Sequence, residues 1–379
     1  MKHIASKMIL IFLLLLQAPA QIWAEEQKRS EDGISSFLHR LFEARTQLLI
    51  HNTPNKITSF YLPKEKASRF ALLHEQQRAK YLHAWAKKRE VTFTEAKGSI
   101  RIARIKSRGD TAEIFLLHTL KLTYRYTGQS KQTHSFGIGT RHSIKLKKIQ
   151  GAWHVAREWY LDPIEENPYT IPSDSVKNPF PMDSSSIRDE KQNQTSFVSK
   201  RRFNREKAIN YANKYAGAAW GAGNNHRYNP KYLDYHYNGG DCTNFASQVI
   251  GDPEEGGGLP MRGDWYYRYK QGGNTAWVQT DSFKHFLIRS GYGKQIAKGY
   301  YADVMTPTPS HPQGALARLQ PGDLIGYEIN GDIDHFSIVT GRDSNGYVFV
   351  NSHTGDRYHV PWDLGWDQYT KFVLIHIND

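Results

Sequence analysis

The residue of this chain best suited to covalent chemistry is Cys242, the only cysteine in the sequence. It stands in the run Gly-Gly-Asp-Cys-Thr-Asn-Phe at 239–245, and His335 follows much later in the chain. A lone cysteine cannot form an internal disulfide, and a cysteine with a distant histidine is the arrangement that a thiol hydrolase needs. The pattern favours Cys242 as a nucleophile and His335 as its general base. The alternative is a buried structural cysteine.

The local sequence predicts that Cys242 begins a helix and that His335 begins a strand. Phe245, Ala246 and Val249 follow the cysteine at helical spacing, and two glycines precede it. The N-terminus of a helix offers partial positive charge and free N–H groups, which stabilise a thiolate and the oxyanion of a tetrahedral intermediate. A strand that begins at His335 would hold the imidazole rigidly against that end of the helix.

A third polar group is expected to fix the orientation of the imidazole. The next predicted strand, 347–353, ends in Asn351 and His353, which share one face because side chains alternate with a period of two. Antiparallel pairing would bring this end back beside His335. Asn351 is the preferred orienting residue and His353 is the alternative. Asp334 is less suitable, since neighbouring residues of a strand point to opposite faces.

The periodicity predicts two α+β units. In the first unit, helical patterns come before strands with alternating apolar residues, an order similar to the cystatin-like or nuclear-transport-factor-like roll. In the second unit, helices from Asn204 and Cys242 come before antiparallel strands, which also indicates an α+β class. For the first unit the predicted helices cover 34–50 and 64–90, and the predicted strands cover 114–126, 142–149 and 153–160, with a strand end at 104–110.

Residues 1–24 have the pattern of a secretory signal peptide. Two lysines precede the apolar run 9–16, and small residues follow it. The run is much shorter than the roughly 20 residues of a membrane-spanning helix. We therefore expect a secreted, extracellular protein that associates with the cell wall and has no membrane span in its mature form.

The net charge of +13 lies in the first half of the chain. Residues 203–379 contain 16 Lys/Arg and 18 Asp/Glu, a balance of −2, so residues 1–202 carry +15. A basic exported unit, 25–161, suits anionic wall polymers as partners, and the alternative is a solvated basic surface that has no partner. Export argues against nucleic acid. Residues 162–202 are rich in proline, serine and polar residues and are predicted to link this unit to the second one.

The second unit contains a series of polar motifs, each beside an apolar run. They are Asn-Pro-Lys-Tyr at 229–232, Gly-Asp-Cys-Thr-Asn-Phe-Ala-Ser-Gln at 240–248, Gly-Asp-Leu-Ile at 322–325, Asp-His-Phe-Ser-Ile-Val-Thr-Gly at 334–341, Val-Asn-Ser-His-Thr at 350–354 and Asp-Arg-Tyr at 356–358. These motifs resemble the bacterial "putative amidase domain" family. A Cys preceded by Asp, followed by Gly-Asp and Asp-His steps, is also similar to NlpC-type cell-wall peptidases and CHAP amidases, which have a minimal papain-like fold.

The resemblance implies a papain-like domain at 203–379 that hydrolyses amide bonds through a thioacyl enzyme. Cys242 would be the nucleophile, His335 the base and Asn351 the orienting residue. Peptidoglycan or another peptide amide is the expected substrate, and no metal or other cofactor is expected. The alternative is a non-catalytic wall-binding or adhesion protein with a degenerate hydrolase domain. The residues assigned to substrate binding are Asp241, Trp220, Trp265 and His353, the tryptophans because aromatic faces stack on sugar and peptide surfaces.

Overall fold

A computed structural model describes residues 31–51, 53–128, 132–164, 167–172 and 203–379. Helices and an antiparallel sheet build both units, so the predicted α+β class is confirmed. The helices are α1 (31–51), α2 (Asn55–Thr58), α3 (Lys66–Lys88), α4 (Arg205–Lys214), α5 (Cys242–Gly251), α6 (Thr275–Val278), α7 (Thr280–Ser290) and α8 (Tyr301–Met305), with short 3₁₀ turns at Asn224–His226 and Ala315–Arg318.

Ten strands of the described residues form one continuous antiparallel sheet. Its order is β1-β2-β3-β11-β10-β9-β8-β12-β7, and β4 pairs with β3 beside this path. A separate two-stranded sheet contains β5 and β6. The strands are β1 (Val91–Arg108), β2 (Thr111–Tyr126), β3 (His134–Ile149), β4 (Ala152–Trp159), β5 (Tyr267–Arg268), β6 (Gly272–Gly273), β7 (Gly293–Gly299), β8 (Leu324–Ile329), β9 (Asp332–Arg342), β10 (Val348–Ser352), β11 (Asp356–Pro361) and β12 (Lys371–Ile377).

The first unit packs α1 and α3 against the strands β1 to β4. Ile34, Leu38 and Leu41 repeat at helical spacing along α1 and are fully buried. Ile114 and Leu116 alternate with less buried residues along β2, as a strand with one face in the core requires. The predicted helices 34–50 and 64–90 correspond to α1 and α3, and the predicted strand 114–126 lies within β2. These predictions are therefore confirmed.

Buried arginines of α1 and α3 form ion pairs with carboxylates at or just beyond the end of β4. Arg45 donates from Nη1 to Glu158 at 2.9 Å and from Nε to the hydroxyl of Tyr61 at 3.0 Å. Arg78 pairs with Asp162 at 2.8 Å. Burial raises the pKa of Asp162, but Arg78, His74 and the N–H of Ile164 together lower it by more, and the pKa falls to about 2. These pairs fix α1 and α3 to the end of β4.

The two units share the sheet through β3 and β11. Gly137, Ile138 and Gly139 pair with the segment 356–358 in antiparallel register, and we call this pairing the seam. Arg141 of β3, which is partly buried, also donates to the buried Asp356 carboxylate at 3.1 Å. The seam therefore joins the units by backbone hydrogen bonds and by an ion pair.

Glycine at two positions of β3 allows this close approach. A Cβ atom at Gly139 would lie 2.4 Å from the carbonyl carbon of Ala218, and one at Gly137 would lie 1.9 Å from the carbonyl oxygen of Trp220. Both distances are far below van der Waals contact with backbone atoms that have no freedom to move aside. The backbone of the second unit therefore lies directly on β3.

The first part of the predicted linker belongs to the packed structure. Ile164 and Ile171 are buried in the main core. The carbonyl oxygen of Pro163 accepts a hydrogen bond from Arg357 at 2.6 Å, which ties this segment to β11. Residues 162–164 and 167–172 therefore contact both units, and the boundaries between the units stay a prediction.

Two predicted features lie outside the described residues: the signal peptide at 1–24 and the remainder of the linker at 173–202. Secretion therefore stays a prediction. Within the described ranges, none of the helices combines the length and the apolar character that crossing a membrane requires.

We predict that Gly139→Ala destabilises the protein by about 1–3 kcal/mol, because the added methyl group overlaps the backbone at Ala218. Thermal unfolding followed by circular dichroism measures the effect. Gly341→Ala on β9 is the matched control, since a Cβ atom there meets nothing within 4 Å. Equal melting temperatures for the two variants would contradict the close packing at the seam.

Candidate active site

Cys242 is the first residue of α5, as the sequence predicts. Gly239 and Gly240 precede the helix with φ of 93° and 108°, which side-chain-bearing residues rarely adopt. The Asp241 N–H then donates to the hydroxyl of Thr354 at 2.5 Å. This turn places the sulfur at the N-terminus of the helix, where the free N–H groups and the helix dipole favour negative charge.

The thiol is buried and faces hydrogen-bond donors. The Cys242 side chain lies against backbone N–H groups of Phe336 and Thr243, and the Thr243 hydroxyl is 3.8 Å from Sγ. Burial raises the pKa of the Cys242 thiol, and the donors offset this effect only in part. The resting sulfur is therefore protonated at neutral pH, and its activation needs a base.

His335 lies on β9 immediately before Phe336, the residue whose N–H faces the sulfur. Its ring packs against the rings of Tyr327 and Trp366, with centroids at 5.8 and 5.6 Å. Burial lowers the pKa of His335 well below 6.5, and the positive charge of Arg357 lowers it further. The imidazole is therefore neutral at physiological pH, the form that accepts a proton.

A cavity of about 590 Å³ is lined by both Cys242 and His335. No direct hydrogen bond joins the two side chains within the described part of the chain, and such contacts often tighten only when substrate binds. A larger surface cleft, of about 720 Å³, lies beside α7 and contains neither residue. The cavity is lined by Trp159, Leu161, Asp162, Pro163, His236, Tyr237, Gly239, Gly240, Cys242, Ile329, Asp334, His335, Thr354, Arg357, Gly365 and Trp366.

Arg357 is a cavity residue to which the sequence assigns no role. Its guanidinium lies over the ring of Trp366 at 5.1 Å and donates from Nη2 to Pro163. The side chain is buried, and among the described residues no carboxylate forms an ion pair with it. The one available sequence signal is its place in a segment that resembles the amidase family.

Asp241 and His353, assigned to substrate binding from the sequence, instead bond to each other in the interior. His353 Nδ1 lies 2.5 Å from the Asp241 carboxylate, and Nε2 donates to the carbonyl of Tyr215 at 2.6 Å. The ring is stacked between Tyr228 and Phe245, with centroids at 3.6 and 3.8 Å. These contacts leave neither residue free for substrate. They position the start of α5, and His353 does not orient His335.

Asn351, the preferred orienting residue, does not contact His335. Its Nδ2 donates to the carbonyl of Ala212 and to the side chain of Asn213, both at 3.0 Å. The cause is register: Asn351 pairs with Ile338, and residues 335 and 338 lie on opposite faces of β9. The antiparallel pairing of β9 with β10 is as predicted, but the predicted orienting contact is wrong.

Neither tryptophan assigned to substrate binding lines the cavity. Trp265 is completely buried in the core of the second unit, where its Nε1 donates to the hydroxyl of Ser247 at 2.9 Å. Trp220 lies at the seam, with Lys121 Nζ 4.8 Å from the centre of its ring. The aromatic residues that do reach the cavity rim are Trp159 and Tyr237, which are 59% and 66% exposed.

Comparison with known families agrees with the amidase resemblance. Residues 202–376 match the family described as "Putative amidase domain". This match covers the second unit and supports a hydrolase acting on amides. The relationship to NlpC-type peptidases and CHAP amidases stays a prediction. The chain matches none of the curated proteins.

Solved structures with low sequence identity match about a third of this chain. An NTF-2-like protein of unknown function from Shewanella oneidensis is 12% identical, with a TM-score of 0.21, over 33% of this chain and 97% of its own. A cystatin-like domain of unknown function from Nostoc punctiforme is 8% identical, with a TM-score of 0.22, over 33% of this chain and 75% of its own. A conserved protein from Planctomyces limnophilus is 14% identical, with a TM-score of 0.24, over 34% of this chain and 93% of its own.

We predict that iodoacetamide alkylates Cys242 slowly at pH 6 and about tenfold faster for each pH unit up to pH 8.5. The reason is that burial raises the thiol pKa, so the reactive thiolate is a minor species that increases with pH. Mass spectrometry of the intact protein, which has one cysteine, gives the rate. A constant rate from pH 5 upwards would instead indicate a preformed thiolate–imidazolium pair.

Proposed function

We propose that this protein is a secreted cysteine amidase that cleaves amide bonds in cell-wall peptides. The supporting observation is the placement of one sulfur at the start of α5, facing the N–H of the residue that follows His335. Both side chains line the same cavity, and the surrounding 175-residue segment, 202–376, matches an amidase family. A buried cysteine with only a packing role would not require a cavity or a neutral histidine beside it.

The reaction begins when His335 takes the proton from the Cys242 thiol and Sγ attacks the amide carbonyl carbon. The backbone N–H groups at the start of α5 stabilise the oxyanion of the tetrahedral intermediate. His335 then gives its proton to the leaving amine, and the C–N bond breaks to leave a thioester on the sulfur. Water, deprotonated by His335, hydrolyses the thioester and restores the thiol.

Aromatic packing and a neighbouring charge take the place of the orienting residue expected from the sequence. The rings of Tyr327 and Trp366 restrict the rotation of the His335 imidazole. Arg357 disfavours the imidazolium form at rest, so the ring is available as a base over the whole neutral range. This arrangement favours general-base activation of a neutral thiol over a stable ion pair.

The compartment and the charge favour wall peptides as the substrate. The sequence begins with a signal-peptide pattern, and the first half of the chain carries the excess positive charge. In the structure β1 presents exposed cations along its length, which suit anionic wall polymers. These residues are Lys97, Arg101, Arg104, Lys106 and Arg108.

We predict that Cys242→Ala abolishes the release of peptide fragments from purified wall muropeptides, with a loss of at least about 1000-fold in kcat. Because His335 is the proposed base, His335→Gln is expected to be similarly inactive. Mass spectrometry of the products provides the measurement. His285→Gln, an exposed histidine on α7, is the matched control and should retain full activity.

Hydrolysis that persists in Cys242→Ala would contradict the proposal. If the wild-type protein binds the wall preparation and releases no fragments, the second unit is a degenerate hydrolase domain with a binding role.

A further inference from the structure

Arg357 is a buried cation that the rest of the protein leaves without a counter-ion. It is 4% exposed, and its Nε is buried without a hydrogen-bond partner. Among the described residues, only Nη2 has a hydrogen-bond acceptor, the carbonyl of Pro163. A largely buried guanidinium with an unpaired Nε is costly, and an anion that binds beside it reduces the cost.

The other charged residues at the cavity offset the charge of Arg357 only in part: burial lowers the pKa of Arg357, and Asp162 raises that pKa from a distance by less. Asp162 lines the cavity, but its carboxylate is held by Arg78 at 2.8 Å and by His74 at 3.2 Å. Asp334 is exposed at the mouth, where solvent screens its charge. Arg357 is thus the buried charge of this cavity that has no ion-pair partner among the described residues.

The guanidinium is held in a fixed position. The ring of Trp366 lies under it, and Pro163 accepts its Nη2 hydrogen bond from the side of the first unit. Arg357 itself pairs with Ile138 in the seam. A planar, immobilised guanidinium with free N–H donors is the geometry that recognises a carboxylate through two parallel hydrogen bonds.

We propose that Arg357 binds a free carboxylate of the substrate close to the amide that Cys242 attacks. The inference rests on the proposed function and narrows its substrate class to anionic peptides. The exposed side chains of Trp159, Leu161 and Tyr237 at the rim contact the apolar or sugar part of the substrate. The first unit therefore contributes directly to specificity, because it supplies Trp159 and Leu161 of this rim.

The test compares two alkylating reagents that differ only in a carboxylate. Iodoacetate carries the carboxylate and iodoacetamide carries a neutral amide in its place. We define the ratio as the rate of iodoacetate divided by the rate of iodoacetamide at Cys242. At pH 8 this ratio is expected to be at least tenfold higher in the wild type than in Arg357→Gln. Arg289→Gln, which removes an exposed arginine from α7, is the matched control and should keep the wild-type ratio. An unchanged ratio in Arg357→Gln would overturn the inference.

A second measurement uses only the wild-type protein, in case Arg357→Gln does not fold. Millimolar N-acetylalanine should protect Cys242 from iodoacetamide, and N-acetylalaninamide should protect it much less. Equal protection by the two compounds would also overturn the inference. Both readouts are independent of hydrolysis: selectivity for carboxylates without muropeptide cleavage would contradict the proposed function alone, and cleavage without such selectivity would contradict the role of Arg357 alone.

Discussion

The pairing of β3 with β11 is the constraint on which the rest of this structure depends. It converts the sheets of two units into one, and it requires glycine at 137 and 139 because backbone lies directly on the strand. Alternation along β11 directs neighbouring side chains to opposite faces. Asp356 therefore meets Arg141 of the first unit, whereas Arg357 enters the cavity beside Cys242. One strand pairing thus joins the units and places a cation in the site.

The location of the cavity explains why its charges are unusual. It lies where the end of β4, the loop before α5 and the start of β9 meet, so both units contribute to burying it. Burial keeps the Cys242 thiol protonated and the His335 imidazole neutral. Because the sulfur is buried, the hydrogen bonds that helix N–H groups make to a developing oxyanion beside it are stronger than they would be in water. Burying the Arg357 guanidinium without an ion-pair partner destabilises the folded protein. The packing of the apolar core that the two units share must offset this cost.

Features fixed by local sequence could be predicted, and features fixed by long-range register could not. The helix at Cys242 and the strand at His335 follow from periodicity and turn residues near each of them. The role expected of Asn351 depends on the register between β9 and β10. Asn351 pairs with Ile338, three residues after His335, so the Asn351 and His335 side chains lie on opposite faces of the sheet. Apolar alternation does not predict β11, since Asp356 and Arg357 are polar residues in a strand that is buried at the seam. Trp265 lies in the core and not in a substrate groove, and the residue type alone does not distinguish these two positions.

Trapping the covalent intermediate tests the proposed chemistry most directly. The full-length protein, in excess over a wall peptide, would be quenched with acid over a series of times and digested for mass spectrometry. A thioester on Cys242 should appear, with the mass of the acyl part of the peptide, and then decay as the free acid forms. Consumption of the peptide with no adduct on Cys242 at any time would contradict nucleophilic catalysis by this sulfur.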